Sequence, residues 1–526
     1  MAYPESRPAG EEEVIDRRAP ESVQRATFTL GRLAILGFGI YGVVSLLTLA
    51  RVPIVWVDEP WYAQPAWSLA TSGSFGNPMF PDLHGMAESN VAFGRIYLGG
   101  VGLILKLLGL GVFQARLLSL VAGLATIYLT FLLGRQLWDA RAGAFSAIVL
   151  AISPIFVMQT HDARPEILLL AFLLASLNLA VRSDSGIGVR GVIVAGVLAG
   201  LAADVHLNGV LVPFVVFAAL AARAGSTSTA LLRGVALMAG CLIGWGWWMA
   251  IHILPDPALF FDQWSNVWSE QLPFQVLAID PRMVLMAEPL RFLQASLFWW
   301  PLAWLTPLAA ILSAVILLRH HRDRNVVAIV GGIAATIVFM ALFVAHKAPT
   351  YAVLVWPLCA LLVGRWLTMS PGRRLSAGML TTAVLASVLA LAVVAASAWN
   401  GDYGAFIGRL RQVLPEGATV QAPPTYWFGL ADHPYVAVED FAYAGPYAQA
   451  VRRLNVDYII ADEYFLETVL KVERIVSEEE VSDFLVKHTD LVAEFNDPQY
   501  GGPGWELGGW MGSAHTTLVY RARVGQ

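Results

Sequence analysis

From about residue 30 to residue 398 the chain runs as apolar stretches of roughly 18 to 22 residues, separated by short polar breaks. A stretch of that length crosses a hydrocarbon core, and a segment surrounded by lipid must satisfy its own backbone polar groups. The pattern therefore predicts membrane-spanning helices. Arginines mark the breaks, in six clusters: Arg17/Arg18/Arg25/Arg32, Arg135/Arg141, Arg182/Arg190, Arg223/Arg233, Arg319/Arg322/Arg324 and Arg365/Arg373/Arg374. Placing all of them in the cytoplasm, as the positive-inside rule directs, leaves one threading. The N-terminus is inside and about eleven spans follow, at 30–50, 116–136, 141–158, 166–181, 191–206, 209–223, 233–253, 297–318, 326–345, 350–368 and 376–398. The apolar run from Arg95 to Phe113 then cannot cross, and its glycines and central Lys106 suit an interfacial or re-entrant helix.

Three regions result. Residues 1–29 form a polar cytoplasmic tail, with the first span an uncleaved anchor. Residues 30–398 form the membrane domain, including a large outside loop at 51–115. Residues 399–526 change character. Strand-like runs ("GATVQAPPTYWFGL", "NVDYIIADEYF") alternate with helical ones ("AYAGPYAQAVRRLN", "EEEVSDFLVKH"), which predicts a small extracytoplasmic α/β domain. The fold class is thus a polytopic all-α membrane protein with an α/β tail domain.

Composition agrees: 57% of the 526 residues are hydrophobic and only 14% charged, against about a quarter charged in soluble proteins. The tail domain carries 9 Lys+Arg against 18 Asp+Glu. An acidic tail without basic aromatic patches argues against nucleic acid. The two cysteines, Cys241 and Cys359, lie inside apolar runs and have no metal-site spacing. No phosphate-binding loop, dinucleotide turn or nucleophile elbow is present, and no spacing calls for a metal or cofactor.

The candidate chemistry collects in the outside loops. Asp58 and Glu59 open the first loop ahead of Pro60, Trp61 and Tyr62. They suit a helix start, and equally a base that takes a proton from an attacking acceptor. "HDARPEI" places His161, Asp162, Arg164 and Glu166 at the second loop. That string reads either as a salt bridge at a helix boundary or as a cavity wall. Arg116 opens the second span, where snorkelling and phosphate binding are equally open. "AHKAPTYAVLVWP" holds His346, Lys347 and Tyr351, and Lys347, which faces outward against the arginine pattern, reads either as a snorkelling side chain or as a phosphate ligand.

Four strings in order, "DEPWYAQPAWSLATSGSFGNP", "KLLGLGVFQARLLSLVAGLATIYLTFLLGRQLWDARAG", "AISPIFVMQTHDARPEILLLAF" and "HKAPTYAVLVWPLCALL", resemble the C-type-fold glycosyltransferases of family 39. That family includes protein O-mannosyltransferases and aminoarabinose transferases. The resemblance implies transfer of a sugar from a polyprenyl-phosphate donor to a protein, lipid or glycan acceptor at the outer membrane face, with inversion. It implies Asp58 as general base, with Glu59 and Glu166 as its acidic companions. Lys347, Arg164, Arg116 and Tyr351 then fall where the donor phosphate is held. His161, Asp162, His346, Trp61 and Tyr62 become substrate-lining candidates. Before Arg95 the chain reads "HGMAESNVAFGRIY", where many members have a Pro-Pro string. Two rival functions remain: an oligosaccharide ligase on a related fold, and a transporter or lipid flippase.

Overall fold

The computed structural model describes residues 38–182, 188–266, 289, 305–321, 323–344, 349–369, 392, 403–442, 446–462, 465, 478–496 and 516–523. Among the described residues the regular elements of the membrane part are all helices. In chain order its helices are α1 Phe38–Thr48, α2 Asp58–Ser72, α3 Arg95–Leu108, α4 Val112–Leu137, α5 Ala140–Ala151, α6 Pro154–Thr160 and α7 Glu166–Arg182. Then come α8 Gly188–Val205, α9 Val212–Arg223, α10 Thr227–His252, α11 Pro257–Asn266, α12 Leu305–His321, α13 Arg324–Phe343 and α14 Trp356–Met369. Among the described residues five helices are long and apolar enough to cross a membrane, or six if α5 and α6 form one span. The expected spans at 376–398 and the start of 297–318 lie outside the described residues.

Two differences from the hydropathy pattern have local causes. The run 141–158 is not one straight helix: α5 and α6 meet at 70° across Ile152 and Ser153, where Pro154 starts the new helix. The run 95–113 divides at Gly109, whose φ of 84° suits glycine, and α4 already begins at Val112. Helix α3 is 14 residues long, packed on α2 and α4.

Leu231, Leu232, Val235, Leu242 and Ile243 stand outward from α10. A soluble protein would not display such a face, and lipid covers it. The opposite face is built for contact between backbones. Gly240 and Gly244 meet Gly196 and Gly200 of α8, and a Cβ at Gly240 would lie 2.1 Å from the Ile193 carbonyl oxygen. This small-residue spacing on both helices brings them together where lipid offers no hydrophobic drive.

The tail contributes α15 Tyr403–Val413, α16 Tyr447–Arg453, α17 Glu478–His488 and a five-stranded sheet. Its strands are β1 Val420–Ala422, β2 Tyr435–Ala437, β3 Tyr458–Ala461, β4 Thr489–Asn496 and β5 Thr516–Ala522, in the order β2-β1-β3-β5-β4. The first three are mutually parallel, and β5 runs antiparallel to both β3 and β4. The sheet is docked on the first loop and the segments beside it. The Ala437 amide at its edge donates to the Met79 carbonyl at 2.8 Å. Phe406 and Trp427 share one apolar cluster with Ala63, Met79, Phe80, Ala115 and Ala163.

Beside that junction, Asp440 accepts a 2.9 Å hydrogen bond from the Asp82 amide, while Asp82 pairs with Arg453. Burial pushes the Asp440 carboxyl from an ordinary 3.8 up to about 7. A raised carboxyl favours the folded form while protonated. Its contribution is complete below an unfolded value near 3.8 and is lost as pH rises through about 7. Melting of the protein is therefore expected to fall over that interval, and D440N should flatten the profile. Parallel profiles for wild type and D440N would overturn this account.

Candidate active site

Three segments build the site: the start of α2, the start of α4, and the loop from α6 into α7. Glu59 is the junction. Its carboxylate accepts from the Trp56 amide at 2.7 Å and the Ala163 amide at 3.0 Å, so it binds the entry to α2 to the second loop. Arg116 meets it in a fork, with Nε to Oε2 at 2.7 Å and Nη2 to Oε1 at 2.6 Å. The remaining N–H groups of Arg116 donate to the carbonyls of Leu49, Pro53 and Ile54. Both side chains are fully buried. All five donors of the guanidinium are thus used inside the protein, a different employment from the expected phosphate contact. Glu59 also serves the helix start, as the plainer reading of the sequence had it.

Asp58 points elsewhere, because successive helical residues diverge by about 100°. Its carboxylate pairs with Arg164 Nη1, and Arg164 in turn grips Glu166, with Nη2 to Oε1 at 2.5 Å and Nε to Oε1 at 3.1 Å. The loop that holds Arg164 is fastened to α4 by the Ser119 hydroxyl, which donates to the Arg164 carbonyl at 3.1 Å. Two acids from two loops therefore converge on one guanidinium. Exposure separates them: the Asp58 side chain is 39% exposed, and that of Glu166 is 0%. Asp58 is the carboxylate that an incoming molecule can reach.

The lining candidates divide. Tyr62, one turn after Asp58, lies within the electrostatic reach of Arg164, Glu166, Tyr351 and Asp58. Tyr351 is buried, with the His206 ring 5.6 Å away edge-on. Trp61 turns instead to the first loop and lies 4.0 Å from the Phe80 ring. His161 is buried, with Nδ1 at 2.7 Å from the Val157 carbonyl and Nε2 facing Thr48 of α1. Asp162 is buried behind Glu59 and accepts only a long bond from Gln159, at 3.3 Å. Burial drives its carboxyl well above the usual range, with Glu59 adding to the effect. His346 and Lys347 lie outside the described residues. Among the described residues no group of three or more His, Cys, Asp or Glu could hold a metal ion.

Sequence reasoning missed a second buried cluster, where Asp204 at the end of α8 meets His252 at the end of α10. Asp204 was visible as a carboxylate at the end of an apolar run, the one signal that pointed to it.

This arrangement sits on the fold of a C-type membrane glycosyltransferase, and the chain is a multi-pass membrane protein of that architecture. The structure of ArnT from Cupriavidus metallidurans bound to undecaprenyl phosphate matches with a TM-score of 0.61 and 17% identity, over 94% of this chain and 98% of that one. The apo form of that ArnT matches equally, at a TM-score of 0.61 and 15% identity, over 95% and 99%. The oligosaccharyltransferase AglB from Archaeoglobus fulgidus, in complex with an inhibitory peptide and a dolichol-phosphate, follows at 0.51 and 14%, over 82% and 69%. By sequence, residues 101–248 match the family model for dolichyl-phosphate-mannose-protein mannosyltransferase. No curated protein matches the chain.

Proposed function

We propose that this protein transfers a sugar from a polyprenyl-phosphate donor to an acceptor at the extracytoplasmic membrane face, in a single inverting displacement. Asp58 takes the proton of the acceptor hydroxyl or amine as that atom bonds to the anomeric carbon. The bond from that carbon to the phosphate oxygen breaks, and the polyprenyl phosphate departs with the electron pair. Arg164, fixed by buried Glu166, sets the orientation of Asp58. Lys347 and Tyr351 meet the phosphate, on whose oxygens negative charge grows. Residues 1–29 remain in the cytoplasm, 30–398 form the transferase domain, and 399–526 close over the outside loops.

One observation carries this reading: an accessible aspartate mounted on a buried arginine–glutamate pair where two loops meet. The fold supports the donor class, since the matched ArnT structure holds undecaprenyl phosphate. A flippase or transporter is less well served, because these acids sit at loop ends and are locked in ion pairs.

The test is a turnover assay with purified protein in lipid nanodiscs. Synthetic monosaccharyl and oligosaccharyl polyprenyl-phosphate donors would be supplied with a membrane extract as acceptor source. Release of polyprenyl phosphate with inversion at the anomeric carbon is expected from a monosaccharyl donor. Consumption of oligosaccharyl donors alone would favour the ligase, and consumption of none would remove the enzymatic reading.

A further inference from the structure

Asp204 and His252 take no part in the scheme above, yet both are buried at the ends of long helices. A buried polar pair stabilises a fold little better than well-packed apolar side chains would. What it adds is direction, and here it is aimed at backbone. His252 Nδ1 lies 2.7 Å from the Val91 carbonyl oxygen, and a carbonyl only accepts, so that nitrogen carries the hydrogen. Nε2 lies 2.7 Å from Asp204 Oδ1. Asp204 also accepts from the Arg95 amide at 2.9 Å and from the Trp247 indole at 3.2 Å.

Helix α11 completes the grip through Gln263, which is fully buried. Its Oε1 accepts from the Val91 amide at 3.0 Å, and its Nε2 donates to the carbonyls of Ser89 at 2.7 Å and His84 at 3.1 Å. Both backbone groups of Val91 are thus taken by side chains from outside the loop. At Gly94 the approach is closer still, since a Cβ there would lie 2.1 Å from the Asp204 carbonyl oxygen. Residues 89–95, the return arm of the first loop, are clamped by α8, α10 and α11.

Phe93 sits between the clamped positions, and its ring stacks on Tyr62 with centroids 4.6 Å apart. Tyr62 follows Asp58 by one helical turn and feels the charges of Asp58, Arg164 and Glu166. A second route leaves through α3, which Arg95 begins. The Tyr97 ring meets Tyr62 edge-on at 5.7 Å, and its hydroxyl lies 3.4 Å from the Ser119 hydroxyl. That hydroxyl is the one that donates to the Arg164 carbonyl. Both routes end on the pair formed by Asp58 and Arg164.

We propose that His252, held by Asp204, is a positioning residue: it fixes the return arm, and through Phe93 and Tyr62 it sets the geometry of Asp58. That this geometry serves sugar transfer rests on the function proposed above.

The test uses the full-length protein in lipid nanodiscs, as wild type, H252L, H252N and F93L, each alone and combined with D58N. Two quantities would be read: kcat and KM for a monosaccharyl polyprenyl-phosphate donor, and the fluorine resonance of 3-fluorotyrosine placed at position 62. A small misplacement at the reacting centre is costly, so H252L and F93L should each lower kcat by roughly tenfold to a hundredfold and leave KM nearly unchanged. Both should shift the Tyr62 resonance. An asparagine amide can still donate to the Val91 carbonyl, so H252N should recover much of the kcat and the native resonance. Combined with D58N, neither H252L nor F93L should cost much more, because residues that act through one group are not additive. Additive losses, or a shifted resonance with wild-type kcat, overturn the proposal. Should H252L melt earlier than wild type, F93L decides, since it leaves every hydrogen bond of the clamp in place. Wild-type kcat and resonance in F93L then refute the route, and the loss reproduced at wild-type stability supports it. If wild type turns over no donor, the function proposed above fails, and the Tyr62 resonance in H252L and F93L still decides whether the arm sets Tyr62.

Discussion

Asp58→Asn is expected to lower sugar transfer by about 10²- to 10⁴-fold, the usual contribution of a positioned base, without lowering the melting temperature. The asymmetry follows from its surroundings. Asp58 is the partly exposed arm of the Arg164 cluster, and the other arm, to Glu166, is made by two guanidinium nitrogens inside the protein. An amide retains an oxygen for Arg164, so the start of α2 keeps its contact, but an amide does not accept the acceptor's proton at neutral pH. The loss should appear in kcat more than in KM, because proton removal belongs to the transition state. Near-normal turnover by the asparagine variant would remove Asp58 from the mechanism.

Arg116→Met should do the reverse and cost about 3–5 kcal/mol of stability, as breaking one side of a buried ion pair does. It would leave the Glu59 carboxylate without its fork and three carbonyls, those of Leu49, Pro53 and Ile54, without a donor. Arg116→Lys should fare little better, since an ammonium cannot match a forked geometry. The double variant Arg116→Met/Glu59→Leu removes both charges and is expected to regain part of the loss. Thermal or denaturant unfolding of the purified protein measures all three. Arg116→Met with unchanged stability and impaired donor binding would show that the arginine meets substrate after all.

These two residues show how far the chain could be read. Asp58 and Glu59 are adjacent and chemically alike, so the sequence marks the pair but not the division of labour. The division is set by α4, which brings Arg116 to Glu59 across 57 positions of chain. Arg164 and Glu166 were legible because they are two residues apart and a proline starts the helix between them. The tail's strands were legible where apolar runs were short and flanked by turns, as at β1 and β3. Strand β4 is half exposed and mixed in polarity, so its alternation is weak. The break between α5 and α6 was available in Pro154, but apolar content carried the run across it.

The outermost strand of the tail sheet has a neighbour on its open side: the carbonyl of Met79. An unpaired strand margin invites adhesion between molecules, and here the first loop blunts it. The loop that begins at Asp58 thus also caps the tail. Lengthening or shifting that loop would uncover a sticky border, so changes to it carry a cost in self-association.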